Sequence, residues 1–277
     1  MRNLLASNFS RLRKNKVFWF GMAVMLIWAV TYMRNGCRQA LRSMPEYRYG
    51  IDHYYFFYAL PLGMVCAVFT SLFLGTEYSD GAIRNKLIIG HTRIQVYLAG
   101  FLTCYAATLL MLASWLLSAL VALPVLGAFR MGTAGLTQYL LLSVLLAAAY
   151  CAIFTLVAML AANKTTSAVF SMLLFLILLS CGSSVYNRLN EEEMTSNVII
   201  TTDSGMQMGA PEPNPDYISG PKRTVYEWLL DLLPGGQATQ LEALSVTHPV
   251  RMLILSGFLT VFVTAGGLYL FCRKDLK

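Results

Sequence analysis

Six long runs without acidic residues or lysine dominate this chain and leave it few folds to adopt. They cover 17–33, 54–75, 94–122, 136–162, 165–184 and 250–272, and Arg251 at the edge of the last is their only charge. A hydrocarbon layer about 30 Å thick needs roughly 20 apolar residues in helical form. Helices in water need a polar face at every turn, and these runs have none. The charges that the chain does carry, 13% of its residues against 57% hydrophobic, sit in short clusters between the runs. A soluble domain usually carries about 25% charged residues. The reading is an all-α membrane protein with six transmembrane helices over 1–277, organised as one transmembrane domain.

The run boundaries carry further information. From Ile94 to Phe129 there are 36 residues without a charge, about 54 Å as a straight helix. That is too long for one span and too short for two with a turn. Pro124 and Gly127 are expected to end the helix there, leaving an apolar extension. The run Val17–Met33 is followed by Arg34 with no small-residue cleavage site, so it reads as a retained first span rather than a signal peptide. Residues 1–16 hold Arg2, Arg11, Arg13, Lys14 and Lys16 and no acid. Leu4, Leu5, Phe9 and Leu12 share one arc of a helical wheel, the pattern of an interfacial helix lying on the membrane.

The net charge of +7 reads as a topology signal rather than a nucleic-acid surface, because it clusters at the ends of apolar runs. With the N-terminus inside and six spans, the inner segments sum to +9 and the outer ones to −2. Both termini are therefore expected in the cytoplasm, in a cell (plasma or inner) membrane. Arg34, Arg38, Arg42 and Arg48 in the first outer loop run against this pattern, and the inverted topology is the alternative. The outer segment 185–249 is the one long polar stretch. It includes Glu191–Glu193, Asp203, Gly205, Gly209, Pro211, Pro213 and Pro215, the composition of irregular loop. Within it, 225–234 places Trp228, Leu229, Leu232 and Leu233 on one face and Glu227 and Asp231 on the other. This predicts a short amphipathic or re-entrant helix ending at Pro234-Gly235-Gly236.

The six cysteines (Cys37, Cys66, Cys104, Cys151, Cys181 and Cys272) form no close pair such as C-x-x-C, so no zinc or redox motif is expected. Most read as small packing residues, and a Cys37–Cys181 disulfide on the outer side is the alternative for that pair. No metal site and no catalytic residue is assigned. H-E-x-x-H, G-x-S-x-G and paired acids are missing from the spans, which argues against a membrane-embedded enzyme. Acids and histidines are also missing at mid-depth; His53, His91 and His248 lie in loops or at edges. Gradient-driven transporters usually bury such groups in their bundles. The alternatives carried forward are an ion-gradient-driven transporter and an ATP-independent membrane assembly protein.

The segment between the second and third runs is Gly75-Thr76-Glu77-Tyr78-Ser79-Asp80-Gly81-Ala82-Ile83-Arg84-Asn85-Lys86-Leu87-Ile88-Ile89-Gly90-His91-Thr92-Arg93. Asp80 or Ser79 is a good N-cap and Gly90 a good C′ residue, which predicts a helix of about two and a half turns. Ile83, Leu87 and Ile88 would form its apolar face, and Arg84, Asn85 and Lys86 its polar one. This stretch resembles the signature of type-2 ABC transporter permeases. In that family an acid follows the second span, a glycine turn leads into "IRNKL", and a G-x-[ST]-R step opens the third span. Glu77, Gly81, Ile83, Arg84, Asn85, Lys86, Leu87, Gly90 and Arg93 match that pattern.

The resemblance implies a permease that dimerises, as a homo- or heterodimer, to form the translocation path. It implies a separate cytosolic ATPase that docks on the loop helix, with Glu77, Asp80, Gly81, Ile83, Arg84, Asn85, Lys86, Leu87 and Arg93 as the coupling residues. The chain itself has no G-x-x-x-x-G-K-[ST] loop, so ATP and Mg are expected on the partner. The other expected partner is membrane lipid, with no nucleic acid. The Met- and aromatic-rich spans suit an amphipathic peptide or lipid-like cargo.

Overall fold

A computed structural model describes residues 1–42, 50–161, 163–195, 199–202, 205–208 and 212–274. Arg48, Ala162, Asp203, Gly209, Pro211, Asp275 and Lys277, all part of the sequence argument, lie outside the described residues. Among the described residues, six helices are long and apolar enough to cross a membrane. They run antiparallel in succession, so the bundle has one end that carries α1 and the C-terminal segment (the terminal end) and an opposite far end.

The chain opens with α1 (Arg2–Lys14), followed by the first span, α2 (Lys16–Arg42). The second span joins α3 (Ile51–Tyr55), a 3-10 turn (Phe56–Tyr58) and α4 (Ala59–Ser79). Pro61 accounts for the interruption. It has no N–H for the Phe57 carbonyl four residues back, and its ring crowds that carbonyl, so the chain tightens to i→i+3 bonds such as Ala59 N–H to Phe56 O. The loop helix α5 (Ala82–Ile88) precedes α6 (Arg93–Leu116) and α7 (Ala119–Leu126). The fourth and fifth spans are α8 (Gly132–Ala161) and α9 (Lys164–Leu189). The far-end segment holds two small antiparallel ladders, β1 (Met194–Thr195) with β4 (Glu212–Pro213) and β2 (Ile199–Thr202) with β3 (Gly205–Met208). It then forms α10 (Gly220–Leu232) and α11 (Pro234–Glu242) before the last span, α12 (Pro249–Arg273).

Several expected boundaries shift. Arg34, Arg38 and Arg42 belong to α2 rather than to a loop. Pro124 does not end the third span; it sits inside α7, and Gly127 at φ 78° ends it. Leu4 and Leu12 of α1 are buried against the bundle, chiefly on α6, while Phe9 stays exposed. Cys37 and Cys181 are free thiols, so the disulfide alternative is excluded.

Within the bundle α4 and α8 are central and α2, α9 and α12 peripheral; 67% of the most apolar stretch is buried in each of the α4 and α8 spans, against 11% in α12. With lipid as apolar as leucine, such packing rests on close fit and on interhelical hydrogen bonds. Tyr58 Oη and Ser143 Oγ lie 2.6 Å apart between the second and fourth spans, and Trp115 Nε1 donates to Tyr55 O at 3.0 Å. The closest approach is between backbones. A Cβ on Gly182 of α9 would lie 2.1 Å from Gly236 N, and one on Gly235 would lie 2.0 Å from Leu178 O. Pro234-Gly235-Gly236 is thus the buried start of α11, not merely the stop of α10. Proline at the first helical position gives up a donor that would be unpaired there anyway, and the glycines let α11 lie on α9.

Gly182→Ala is expected to lower the thermal unfolding midpoint of the purified chain by several degrees or prevent folding, since overpacking costs about 1–3 kcal/mol or more. Gly257→Ala, where a Cβ meets nothing within 4 Å, should leave it unchanged. Static light scattering on a thermal ramp reads both.

Candidate functional site: the terminal-end knot

The terminal end gathers most of the motif residues around one carboxylate. Glu77 lies in the last turn of α4 and is 1% exposed. Its Oε1 accepts from Arg11 Nη1 at 2.6 Å and from Lys86 Nζ at 2.7 Å. Lys86 Nζ also donates to Asn8 Oδ1 at 2.9 Å, and Arg11 Nη2 to Phe73 O at 3.2 Å. The Arg11 guanidinium lies 4.0 Å from the centroid of the Phe73 ring. Charge-assisted bonds of this length are the stronger kind, and an anion this buried is tolerable only because it is paired. Glu77 therefore ties three elements together: α1, the end of α4 and α5.

The local backbone explains how α5 reaches that position. The expected side-chain N-cap is absent: Asp80 is the C-cap of α4, and Gly81 at φ 68° is the N-cap of α5. A left-handed residue reverses the chain in one step, and glycine adopts it without a steric penalty. Ser79 instead bonds its own helix, Oγ to Gly75 O at 3.1 Å. Gly90 at φ 99° takes the C′ position. Its N–H bonds Leu87 O at 3.0 Å and the His91 N–H bonds Lys86 O at 3.1 Å, the pair of contacts of a Schellman motif. Thr92 then starts α6 with a reciprocal capping box to Gln95. The T-x-x-Q spacing of Thr92 and Gln95 is the local sequence signal for it.

The α5 surface divides differently from the expected faces. Ile83 is buried, and Leu87 packs against the core. Ile88, grouped with them on helical spacing, points out at 75% exposure beside Ile89 at 77%. Arg84 and Asn85 are exposed as well, and Asp80 lies exposed in the preceding turn. Glu77, Ile83 and Lys86 are occupied within the chain. Ile89, absent from the expected set, belongs to the free surface.

Arg93 also turns inward. Its Nη1 donates to Phe271 O at 3.1 Å, to Cys272 O at 3.3 Å and to Lys274 O. These include terminal carbonyls of α12 that have no intrahelical partner. Lys274 does the same for α8, with Nζ donating to Met159 O at 3.1 Å and Leu160 O at 2.6 Å, and Tyr78 Oη adds a 2.6 Å bond to Met159 O. Burial pushes the Lys274 ammonium below its ordinary value. Gly75 lets α4 approach the start of α9, where a Cβ would lie 2.8 Å from Lys164 Cα. The ends of three spans, α4, α8 and α12, are thus laced by side chains from other elements.

Glu77→Gln leaves Arg11 and Lys86 without their anion. The expected cost is on the order of 2–3 kcal/mol, less than for a fully buried pair because Arg11 reaches solvent. Release of α1 should follow, read as faster protease cleavage near residues 13–16 with the six spans still folded.

A search of curated proteins returned no match. A family model described as ABC-2 family transporter protein matches residues 4–182, which span α1 through most of α9 and include the whole knot except its C-terminal clamp. The six apolar spans, the acid-anchored loop helix and that match agree: this multi-pass membrane protein belongs to the ABC-2 transporter family and is a membrane permease of an ABC transporter.

Proposed function

We propose that this chain is the permease subunit of an ABC exporter, working as a homo- or heterodimer with a separate cytosolic ATPase that carries the ATP and Mg. The terminal end, with α1 and the C-terminal segment, faces the cytoplasm of the cell membrane. The observation that carries the reading is the α5 tip. Ile88 and Ile89 project from a short helix whose other side is clamped by Lys86 to Glu77 and by Ile83 to the core. Adjacent isoleucines this exposed, held on a rigid mount at the polar end, suit a groove on a soluble partner. The ATPase would grip Ile88, Ile89 and the exposed Arg84 and Asn85. Glu77 would pass displacement of α5 to α4 and α1, and Arg93 would link the start of α6 to the end of α12.

The exposed apolar faces of α2, α9 and α12 support assembly in lipid with a second permease subunit. The groove between α8 and α9, about 550 Å³ and lined by Leu156, Val157, Leu160, Phe170 and Leu173 among others, supports an amphipathic or lipid-like cargo.

The test is reconstitution with the cognate ATPase subunit. Ile88→Asp together with Ile89→Asp should lower ATP-driven transport about tenfold or more, because the contact is central to the docking surface. Assembly of the six spans should be unaffected, since neither side chain packs inside the chain. Transport at the wild-type rate in this variant would overturn the docking assignment.

A further inference from the structure

A second polar centre lies at the far end and plays no part in the docking reading. Asp231 of α10 is 1% exposed. Its Oδ2 accepts from Arg251 Nε at 2.5 Å and its Oδ1 from Gln240 Nε2 at 3.0 Å. Gln237 Nε2 donates to the Asp231 carbonyl at 2.7 Å, and Ser256 Oγ donates to Gln237 Oε1 at 2.8 Å. One atom is left over. Gln240 is itself 1% exposed, and its Oε1 has no partner. The amide cannot be turned round to cure this, because the Asp231 carboxylate requires the NH₂ on its side. A buried acceptor without a donor is costly.

Gln240 lines a cavity of about 110 Å³ whose walls include Tyr186, Asn190, Arg223, Glu227 and Arg251, several times the space that one water needs. Its formal charges balance. Arg251 is held by Asp231, and Arg223 by Glu227 through a looser 3.4 Å contact at the rim. A neutral or zwitterionic occupant therefore fits better than a net anion. The depth of the cavity is set by the outer face of α10, where Val225, Trp228 and Leu229 are exposed. An exposed Trp on an amphipathic helix beside an apolar bundle marks the headgroup level of a bilayer.

We propose that this cavity binds the headgroup of an aminoethyl phospholipid from the leaflet at the far end. The ammonium would donate to Gln240 Oε1 and the phosphate would lie against Arg223 at the rim. A quaternary ammonium has no N–H for Gln240, so the site selects phosphatidylethanolamine over phosphatidylcholine. Binding at this site would hold α10, α11 and α12 together independently of cargo or ATPase.

The experiment is native mass spectrometry of the delipidated full chain. The chain is offered an equimolar mixture of phosphatidylethanolamine, its mono- and dimethyl forms and phosphatidylcholine, all with matched acyl chains. Lipids that keep an N–H should be retained about tenfold over phosphatidylcholine, the factor of one charge-assisted hydrogen bond. Gln240→Leu should erase that preference, and Arg223→Ala should lower retention of all four. Equal retention of all four by the wild type would overturn the proposal, as would a preference that survives Gln240→Leu. If Gln240→Leu does not fold, Arg223→Ala decides, and wild-type retention there overturns the proposal. Soluble glycerophosphoethanolamine that binds alone and displaces the lipid would replace the lipid with a water-soluble ligand and equally overturn it.

Discussion

Water is missing from the middle of this protein's surroundings, and the rest of its structure follows from that. A polar group in hydrocarbon has to find its partner within the protein or go without. The chain answers by keeping carboxylates out of the bundle's middle and burying them near its ends, Glu77 at the terminal end and Asp231 and Asp52 at the far end. Glu77 is neutralised by Arg11 and Lys86, and Asp231 by Arg251 with help from Gln240. In both places the cation comes from a different helix than the acid. A buried pair contributes little net stability against an apolar alternative. What it supplies is position, because removing either partner leaves an uncompensated charge.

The two knots hold their elements differently. At the terminal end the lacing is made by long cationic side chains that reach helix C-termini, with Arg93 on α12 and Lys274 on α8. Positive charge complements the carbonyl end of a helix dipole, so one set of contacts satisfies orphan carbonyls and joins spans. At the far end the fit is between backbones. Gly182 against Gly236 and Gly235 against Leu178 leave no room for a side chain. Such an interface is rigid, and it presents α11 with its glutamines turned towards α10 and α12.

Much of this was legible from residue patterns. The six spans follow from apolar run length, because hydrocarbon thickness imposes a fixed helix length. Gly90 as the end of α5 and the amphipathic helix around Trp228 follow from local chemistry. Other features were not. Spacing alone placed Ile88 with Ile83, yet one faces out and the other in, because α5 is too short for its wheel to define a face without knowing where α1 and α4 lie. Spacing also set Glu227 and Asp231 apart from Trp228 and Leu229 without saying which face turns inward. Trp228 and Leu229 turned out and Asp231 turned in beside Leu230, because Arg251 and Gln240 wait for the carboxylate.

The sequence by itself determined the number of spans, the loop helix with its glycine punctuation, the family resemblance carried by Glu77 to Arg93, and the absence of an ATP-binding loop. These are local or compositional properties, dictated by bilayer thickness, backbone sterics and motif spacing. Only the tertiary structure decided which of those motif residues stay free. Glu77, Lys86 and Arg93 are consumed by contacts with residues up to 181 positions away, while Ile88 and Ile89 are left exposed. It also decided that Pro234-Gly235-Gly236 starts a buried helix rather than only ending an exposed one. Both outcomes depend on long-range partners, and a buried charge or a bare backbone takes its place only once those partners are packed around it.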